Sequence, residues 1–260
     1  MNFIRKKFTK IYKFFFYFGL DLKKLLSIRF IYYYLKTLIQ FKSQGGTINS
    51  YLPILFDIDQ NAGSIKDHYF LQDLHCARLI YNRNPYNHID IGSRIDGFIT
   101  HLATFRKVEV LDIRDLNDQV DKNIIFKKVD IIDLPRSLLS KYQSVSCLHT
   151  IEHVGLGRYG DRIDVNGHLK ALENILKIVK VGGIFYLSVP ISERNLVFFN
   201  MHRVFHPEYI ISLEIIKKQF NLLNFDYIDD NGILHTNINP KNIYQYPEYG
   251  CGIYQFKKFK

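Results

Sequence analysis

Two histidines and a glutamate stand close together at His149, Glu152 and His153, within the stretch CLHTIEHVGLGRYGD at 147–161. Read as H-x-x-E-H, the spacing matches the zinc-binding motif of one metallopeptidase group. Zinc would need both imidazoles on one face of a continuous helix, together with a third ligand. The preceding SVSCL reads as a buried strand, with Cys147 as a small apolar residue. Gly155, Gly157 and Gly160 follow at once and make a long helix costly. The expectation is a strand end followed by a glycine-rich loop, with no metal.

Three other groups carry candidate chemistry. Asp90-Ile-Gly92-Ser93-Arg94 closes one apolar run, Asp112 closes the next, and Asp130 follows the third. In open α/β sheets, ligands bind beyond the carboxyl ends of the strands. A glycine there admits a ligand closely, and the helix N-terminus behind it favours a carboxylate. A carboxylate at 112 can accept from both ribose hydroxyls, and one at 130 from an adenine amino group. Ile113 and Ile131 adjoin these acids. Further on, Arg158, Asp161, Arg162 and Asp164 make a dense polar loop that is either a sugar or phosphate site or a self-paired surface. Beyond the fifth run lie His202 and Arg203, with Glu193 a weaker candidate on the same rim. Arg203 has the fork to clamp a phosphate or carboxylate with two hydrogen bonds.

The elements that must position these residues begin at 87. Short apolar runs alternate with helical patterns: HIDIG, VEVLDI, IIFKKVDII, SVSCLHT and IFYLSVP. Such alternation predicts a doubly wound, mostly parallel sheet with helices on both faces. Ile95, Phe98, Ile99 and Leu102 form a helical stripe that Ser93 and Asp96 can cap. Pro207 suits the first turn of a helix over 207–220, and NFDYIDD and GIYQFKK close the chain as two strands with no helix between them. Upstream, Ser64-Ile-Lys-Asp67 is a capping-box pattern for a helix over 65–82, ended by Asn84-Pro85. A second helical stretch over 22–41 runs into KSQGGTINS, which reads as a linker. The sequence thus divides into a basic helical arm (1–45), a linker with a lead-in helix (46–86) and the α/β domain (87–260).

The net charge of +10 would suggest a nucleic-acid binder if it were spread around a cleft. It is not. Residues 1–45 hold ten Lys or Arg and one acid, Asp21, so the remaining chain is nearly neutral. No nucleic-acid partner is expected. Ile4, Phe8, Ile11, Phe15 and Phe18 recur at helical spacing, with Lys6, Lys10 and Lys13 opposite. That pattern leaves three readings: residues 1–20 lie on an anionic membrane surface, dock on their own domain or a partner, or stay disordered. The uncharged run 14–20 is too short to span a bilayer and lacks a secretory cleavage site. With three widely spaced cysteines as well, the expected location is the cytoplasm, at the inner face of the membrane under the first reading.

The order of these features resembles class I S-adenosylmethionine-dependent methyltransferases. VDIIDLP is similar to their third-strand segment, TIEHV to the segment after the fourth strand, and ILKIVKVGGIFYLSVP to the helix, turn and fifth strand that follow. GSRIDGF, EHVGLGRYGD, HRVF and GLDLKKLLS further resemble a poorly characterised methyltransferase-like family, some members of which accompany surface-polysaccharide genes. The resemblance implies a Rossmann-like, seven-stranded sheet binding S-adenosylmethionine through Asp90, Gly92, Ser93, Arg94, Asp112, Ile113, Asp130, Ile131 and His149. It implies methyl transfer to an oxygen of a small-molecule or glycan acceptor. His149 would contact the cofactor or fill the pocket wall. His153 would act as general base or hold the loop, with His202 the second base candidate, and Arg158, Asp161 and Arg203 would meet the acceptor. Two alternatives stand beside this: a non-catalytic binding protein of the same fold and an NAD-dependent oxidoreductase. Arg94 replaces the middle glycine that a dinucleotide pyrophosphate needs, which counts against NAD more than against the sulfonium cofactor.

Overall fold

The computed structural model describes residues 19–59, 68–116 and 121–260, in two compact units, 1–64 and 65–260. The amphipathic pattern from Ile4 to Phe18 and the capping box at 64–67 lie outside the described residues. In the first unit, α1 (Leu22–Leu26) passes through a 3-10 turn (Ser27–Phe30) into α2 (Ile31–Ser43). Gly45 follows with a φ of +84°, a left-handed conformation that glycine adopts without strain. Among the described residues, no helix is long and apolar enough to cross a membrane.

The second unit opens with α3 (His68–Arg83), so the lead-in helix belongs with the sheet rather than with the linker. The strands are β1 (His88–Ile91), β2 (Val108–Asp112), β3 (Ile124–Lys128), β4 (Tyr142–Leu148) and β5 (Val179–Ile191). A small ribbon of β6 (Leu196–Phe198) and β7 (His202–Val204) follows, then β8 (Phe220–Ile228), β9 (Leu234–His235) and β10 (Gly250–Lys258). The main sheet has the order β3-β2-β1-β4-β5-β10-β8-β9. Strands β1 to β5 pair in parallel, while β10 runs antiparallel to both β5 and β8. The seven expected strands are present, and the two-residue β9 adds an eighth at the edge.

Strand periodicity divides two cores. Ile89, Val145, Phe185, Leu187, Tyr254 and Phe256 face one side, against α5 (Gly167–Ile178). Val108, Val110, Ile184, Tyr186 and Ile253 face the other, against Cys76 and Ile80 of α3. On α5, Ala171, Leu172, Ile175, Leu176 and Ile178 are all buried, as i, i+3, i+4 spacing requires. Truncating Leu172 to Ala there should cost about 2–5 kcal/mol.

The segment after β1 is not the single capped helix expected. A π turn (Ile95–Ile99) kinks at Gly97 and continues as α4 (Thr100–Ala103). Asp96 does not cap it, because its carboxylate is bound by the Arg94 guanidinium. The stripe still packs: Phe98, Ile99 and Leu102 are buried. Pro207 does start a helix, α6 (Pro207–Ser212), but Leu213 is extended and separates it from α7 (Glu214–Lys217).

Candidate active site

The strand order reverses between β1 and β4, and a cavity of about 300 Å³ opens there beyond the carboxyl ends of the strands. Ile91, Gly92, Asp112, Ile113, Asp130, Ile131, His149 and Thr150 all line it. Gly92 has a φ of +77°, and a Cβ built there would lie 2.4 Å from Thr150 Cγ2. The wall therefore needs glycine on two counts, conformation and space.

The polar groups beneath this wall are held locally. Buried Asp90 accepts the Ser93 amide at 3.0 Å and the Ser146 hydroxyl, and burial pushes its carboxyl up to about 7. Asp90 and Ser93 are not among the lining residues, so they shape the glycine loop from behind. Arg94 points away to solvent on Asp96, so the ligand-binding role expected for it has no support in this arrangement. Asp112 accepts Arg114 Nε at 2.9 Å and the Arg114 amide at 2.8 Å. The Arg114 guanidinium lies 4.9 Å from the centre of the Tyr159 ring, across the cavity mouth. Asp130 receives the Ile132 amide at 2.9 Å on one oxygen.

The glycine-rich loop forms the opposite wall. Gly155, Gly157 and Gly160 all have positive φ, and a Cβ on Gly155 would lie 2.1 Å from the Asp164 carbonyl oxygen. Asp161 lines the cavity, but its carboxylate is engaged by the Gly155 amide at 2.7 Å and the Tyr159 amide at 3.2 Å. Asp161 thus braces the loop. Arg162 also lines the cavity, and among the described residues no carboxylate pairs with it. Asp164 is bound to Lys170.

Beyond this wall lies the histidine cluster. His149 follows β4 with a φ of +49° and is buried, its Nδ1 3.0 Å from Glu152 Oε1 and its Nε2 3.3 Å from Cys251 Sγ. Glu152 and His153 lie in a 3-10 turn (Ile151–His153), not in a long helix. Among the described residues no group of three ligand side chains is arranged to hold a metal ion. Glu152 is fully buried, and burial pushes its carboxyl up to about 7. His153 Nδ1 is 2.6 Å from the Met201 carbonyl oxygen, and a carbonyl only accepts, so the ring proton sits on Nδ1. Its Nε2 keeps a lone pair, 3.7 Å from Glu152 Oε1. Burial lowers the His153 pKa, against the opposing pull of Glu152. His202 lies with its ring centre 6.3 Å from that of His153, its pKa also lowered by burial.

One further expected acceptor contact falls elsewhere. Arg203 is buried, and its guanidinium donates to the carbonyls of Glu152, Val154 and Val165 at 2.7–3.3 Å. It ties the glycine loop to β7 and has no fork to offer a substrate. Glu193 is exposed. Arg158 is exposed and donates to the Met201 carbonyl at 3.1 Å, beside His153.

Sequence reasoning missed the aromatic residues joining these parts. His68 stacks on His149 at 4.8 Å, Tyr249 lies 5.6 Å from His68 and 5.3 Å from His202, and Tyr159 is edge-on to His153 at 5.6 Å. Rings from α3, the β4 loop, β7 and the β10 lead-in thus form one arc beside the cavity. No local pattern marks His68 or Tyr249, since their neighbours are distant in sequence. Arg114 was the one omission with a local signal, standing two residues after a strand-end acid.

The family model described as "Caenorhabditis protein of unknown function, DUF268" matches residues 96–235. No curated protein matches the sequence. Among solved structures, the N-methyltransferase NodS from Bradyrhizobium japonicum WM9, in complex with S-adenosyl-L-homocysteine, is similar at 13% identity over 80% of this chain and 94% of its own, with a TM-score of 0.50. The Burkholderia thailandensis 1,6-didemethyltoxoflavin-N1-methyltransferase is similar at 11% identity over 74% and 80%, with a TM-score of 0.52. The [4+2]-cyclase SpnF is similar at 11% identity over 91% and 96%, also with a TM-score of 0.52. The fold is that of class I S-adenosylmethionine-dependent methyltransferases, and the presence of a cyclase among its neighbours means that the fold does not fix the reaction.

Proposed function

We propose that this chain, which belongs to the DUF268 family, is an S-adenosylmethionine-dependent methyltransferase acting on a hydroxyl of a sugar or glycan precursor. One observation carries the reading: a glycine that cannot bear a Cβ and two carboxylates, Asp112 and Asp130, meet in a single cavity at the reversal point of the sheet. The residues fit the cofactor. Gly92 leaves room for close approach, Ile113, Ile131 and Ile163 supply apolar walls for a flat base, and Asp112 lies where ribose hydroxyls are recognised. Bound there, the cofactor supplies an electrophilic methyl group.

The remaining work falls to the chain. Transfer of a methyl to a neutral hydroxyl releases that hydroxyl's proton. His153 is suited to take it: Nδ1 donates to Met201, Nε2 carries the lone pair, and burial keeps the ring neutral near pH 7. A proton gained on Nε2 would sit beside Glu152, whose carboxylate favours the imidazolium. His202 remains the second base candidate. The arc of His68, Tyr69, Tyr249, His202 and Tyr159 offers ring faces of the kind that stack on a sugar, and the exposed Arg158 and Arg162, which no carboxylate pairs among the described residues, suit an acceptor that carries a phosphate. Arg203 and Asp161, engaged inside the loop, position it and are not part of the acceptor contact.

Calorimetry with S-adenosylmethionine and S-adenosyl-L-homocysteine tests the first half, and mass spectrometry of products from free sugars, sugar phosphates and nucleotide sugars tests the second. A mass gain of one methylene unit on a sugar oxygen is the expected result. Tight binding of NADH with none of the sulfonium ligand would sink the reading.

A further inference from the structure

The first unit holds a surface that the proposed chemistry does not use. Ile28, Tyr32, Leu35 and Ile39 follow at i, i+4, i+7 and i+11, which is one face of a helix. In a water-soluble helix such a face is buried. Here the four side chains are 70%, 75%, 47% and 68% exposed, and α2 buries none of its thirteen residues. The exposed apolar surface continues past the helix through Tyr51, Leu52 and Ile54. Soluble monomers rarely present contiguous apolar patches beyond a few hundred Å², and larger ones mark an interaction surface.

The charge around this face is mostly positive, although Asp21, Asp57 and Asp59 flank it and Asp59 pairs with Arg29. Residues 22–56 contain five Lys or Arg and no Asp or Glu. Lys24 lies 5.2 Å from the Phe56 ring centre and Lys42 lies 5.0 Å from that of Tyr51, each ammonium set against an aromatic edge of the patch. Tyrosines beside lysines suit the headgroup region, where a ring can sit in hydrocarbon and its hydroxyl in water while the ammonium reaches a lipid phosphate. A groove in a partner protein would cover one stripe. This apolar exposure also includes Tyr51, Leu52 and Ile54 of the following segment.

We infer that the helical segment 22–43 is a membrane-interface element that lies on an anionic bilayer, with Ile28, Tyr32, Leu35 and Ile39 entering the headgroup layer. The sequence pattern in residues 1–20 extends the same basic and aromatic character upstream. The site sought is therefore a lipid surface, independent of what the cavity binds.

Co-sedimentation of the full chain with phosphatidylcholine vesicles, with and without about 30% phosphatidylglycerol, tests this. Binding should require the anionic lipid and should fall about tenfold or more between about 50 and 300 mM salt, because screening shortens the attraction. The triple variant Tyr32→Ser, Leu35→Ser, Ile39→Ser should lose about tenfold or more in vesicle affinity, with circular dichroism and the thermal midpoint unchanged. Lys36→Glu, on an exposed side chain, should cost about fivefold or more by itself. Failure of the full chain to bind anionic vesicles at low salt overturns the inference, as does a folded triple variant that binds like the parent. Sedimentation equilibrium supplies the remaining outcome: a dimer that the triple variant dissociates would give this face to a second copy of the chain and overturn the lipid assignment.

Discussion

At the ends of β1, β2 and β3, each acid has a partner within three residues, the Ser93 amide on Asp90, Arg114 on Asp112 and the Ile132 amide on Asp130, although Asp90 also accepts the Ser146 hydroxyl from β4. Around the end of β4, the local contacts of His149 and His153 with Glu152 are joined by partners from far along the chain. His153 reaches Met201, His149 reaches Cys251 and Ser188 reaches Gln72, at sequence separations of 48, 102 and 116 residues. The first half of the site is held mostly by its own turns. The second half exists only when α3, β7 and β10 have all docked. Damage to the first half should therefore remove ligand binding and leave the fold intact, whereas damage to the second should appear in stability and in pH dependence.

The largest expected effect tests the long-range half. Arg203→Ala leaves buried carbonyls without their donor and should cost about 3–5 kcal/mol in urea unfolding, since each orphaned acceptor costs about 1–3 kcal/mol. A variant as stable as the parent but inactive would return Arg203 to the acceptor site. Gly92→Val comes next. With a φ of +77° and Thr150 in the way, it should weaken S-adenosyl-L-homocysteine about a hundredfold or more in calorimetry while retaining parental circular dichroism. Unchanged affinity would remove the strand-end half from the cofactor site. Asp112→Ala should weaken the same ligand by roughly 1.5–3 kcal/mol, the usual loss for hydrogen bonds to a charged group. If Arg114→Ala tightens binding instead, the Arg114 pair competes with the ribose.

The smallest effect is the pH signature of the buried acids. Glu152 has its folded pKa raised to about 7 by burial, so between about pH 4 and 7 the native state holds a proton that the unfolded chain has lost. Its contribution is thus a loss of stability as pH rises through that window. Glu152→Gln should remove this loss, gaining on the order of 1–2 kcal/mol relative to the parent between pH 5 and 7.5. His88 and His168, lowered to about 3 and about 4 by burial, act in the opposite direction, so the comparison must be made between variant and parent at each pH. A difference that stays flat with pH would mean that Glu152 is ionised in the native protein throughout.

Much of the fold is legible in the sequence for a local reason. Alternating apolar runs such as HIDI, VEVLD and SVSCL bury themselves wherever they pair, and acids and glycines at their ends mark the side on which a ligand sits. The periodic stripe at Phe98, Ile99 and Leu102 likewise had only one way to pack. Its expected cap failed because Arg94, two residues away, holds the Asp96 carboxylate more strongly than a backbone amide would.

The sequence by itself therefore determined the sheet, the edge at which the cavity opens and the identity of Gly92, Asp112 and Asp130 as residues of its wall, because those choices rest on period and turn chemistry within a few residues. Only the tertiary structure decided what the remaining charged and aromatic groups do. Nothing local in the sequence around Arg203 separates a structural arginine from a substrate-binding one. What separates them is that three loop carbonyls converge on Arg203 and exclude water. His68 and Tyr249 carry no local signal either, and they join His149 and His202 because α3 and the β10 lead-in close over the end of β4, where a ring's partner is set by packing across the sheet and not by its position along the chain.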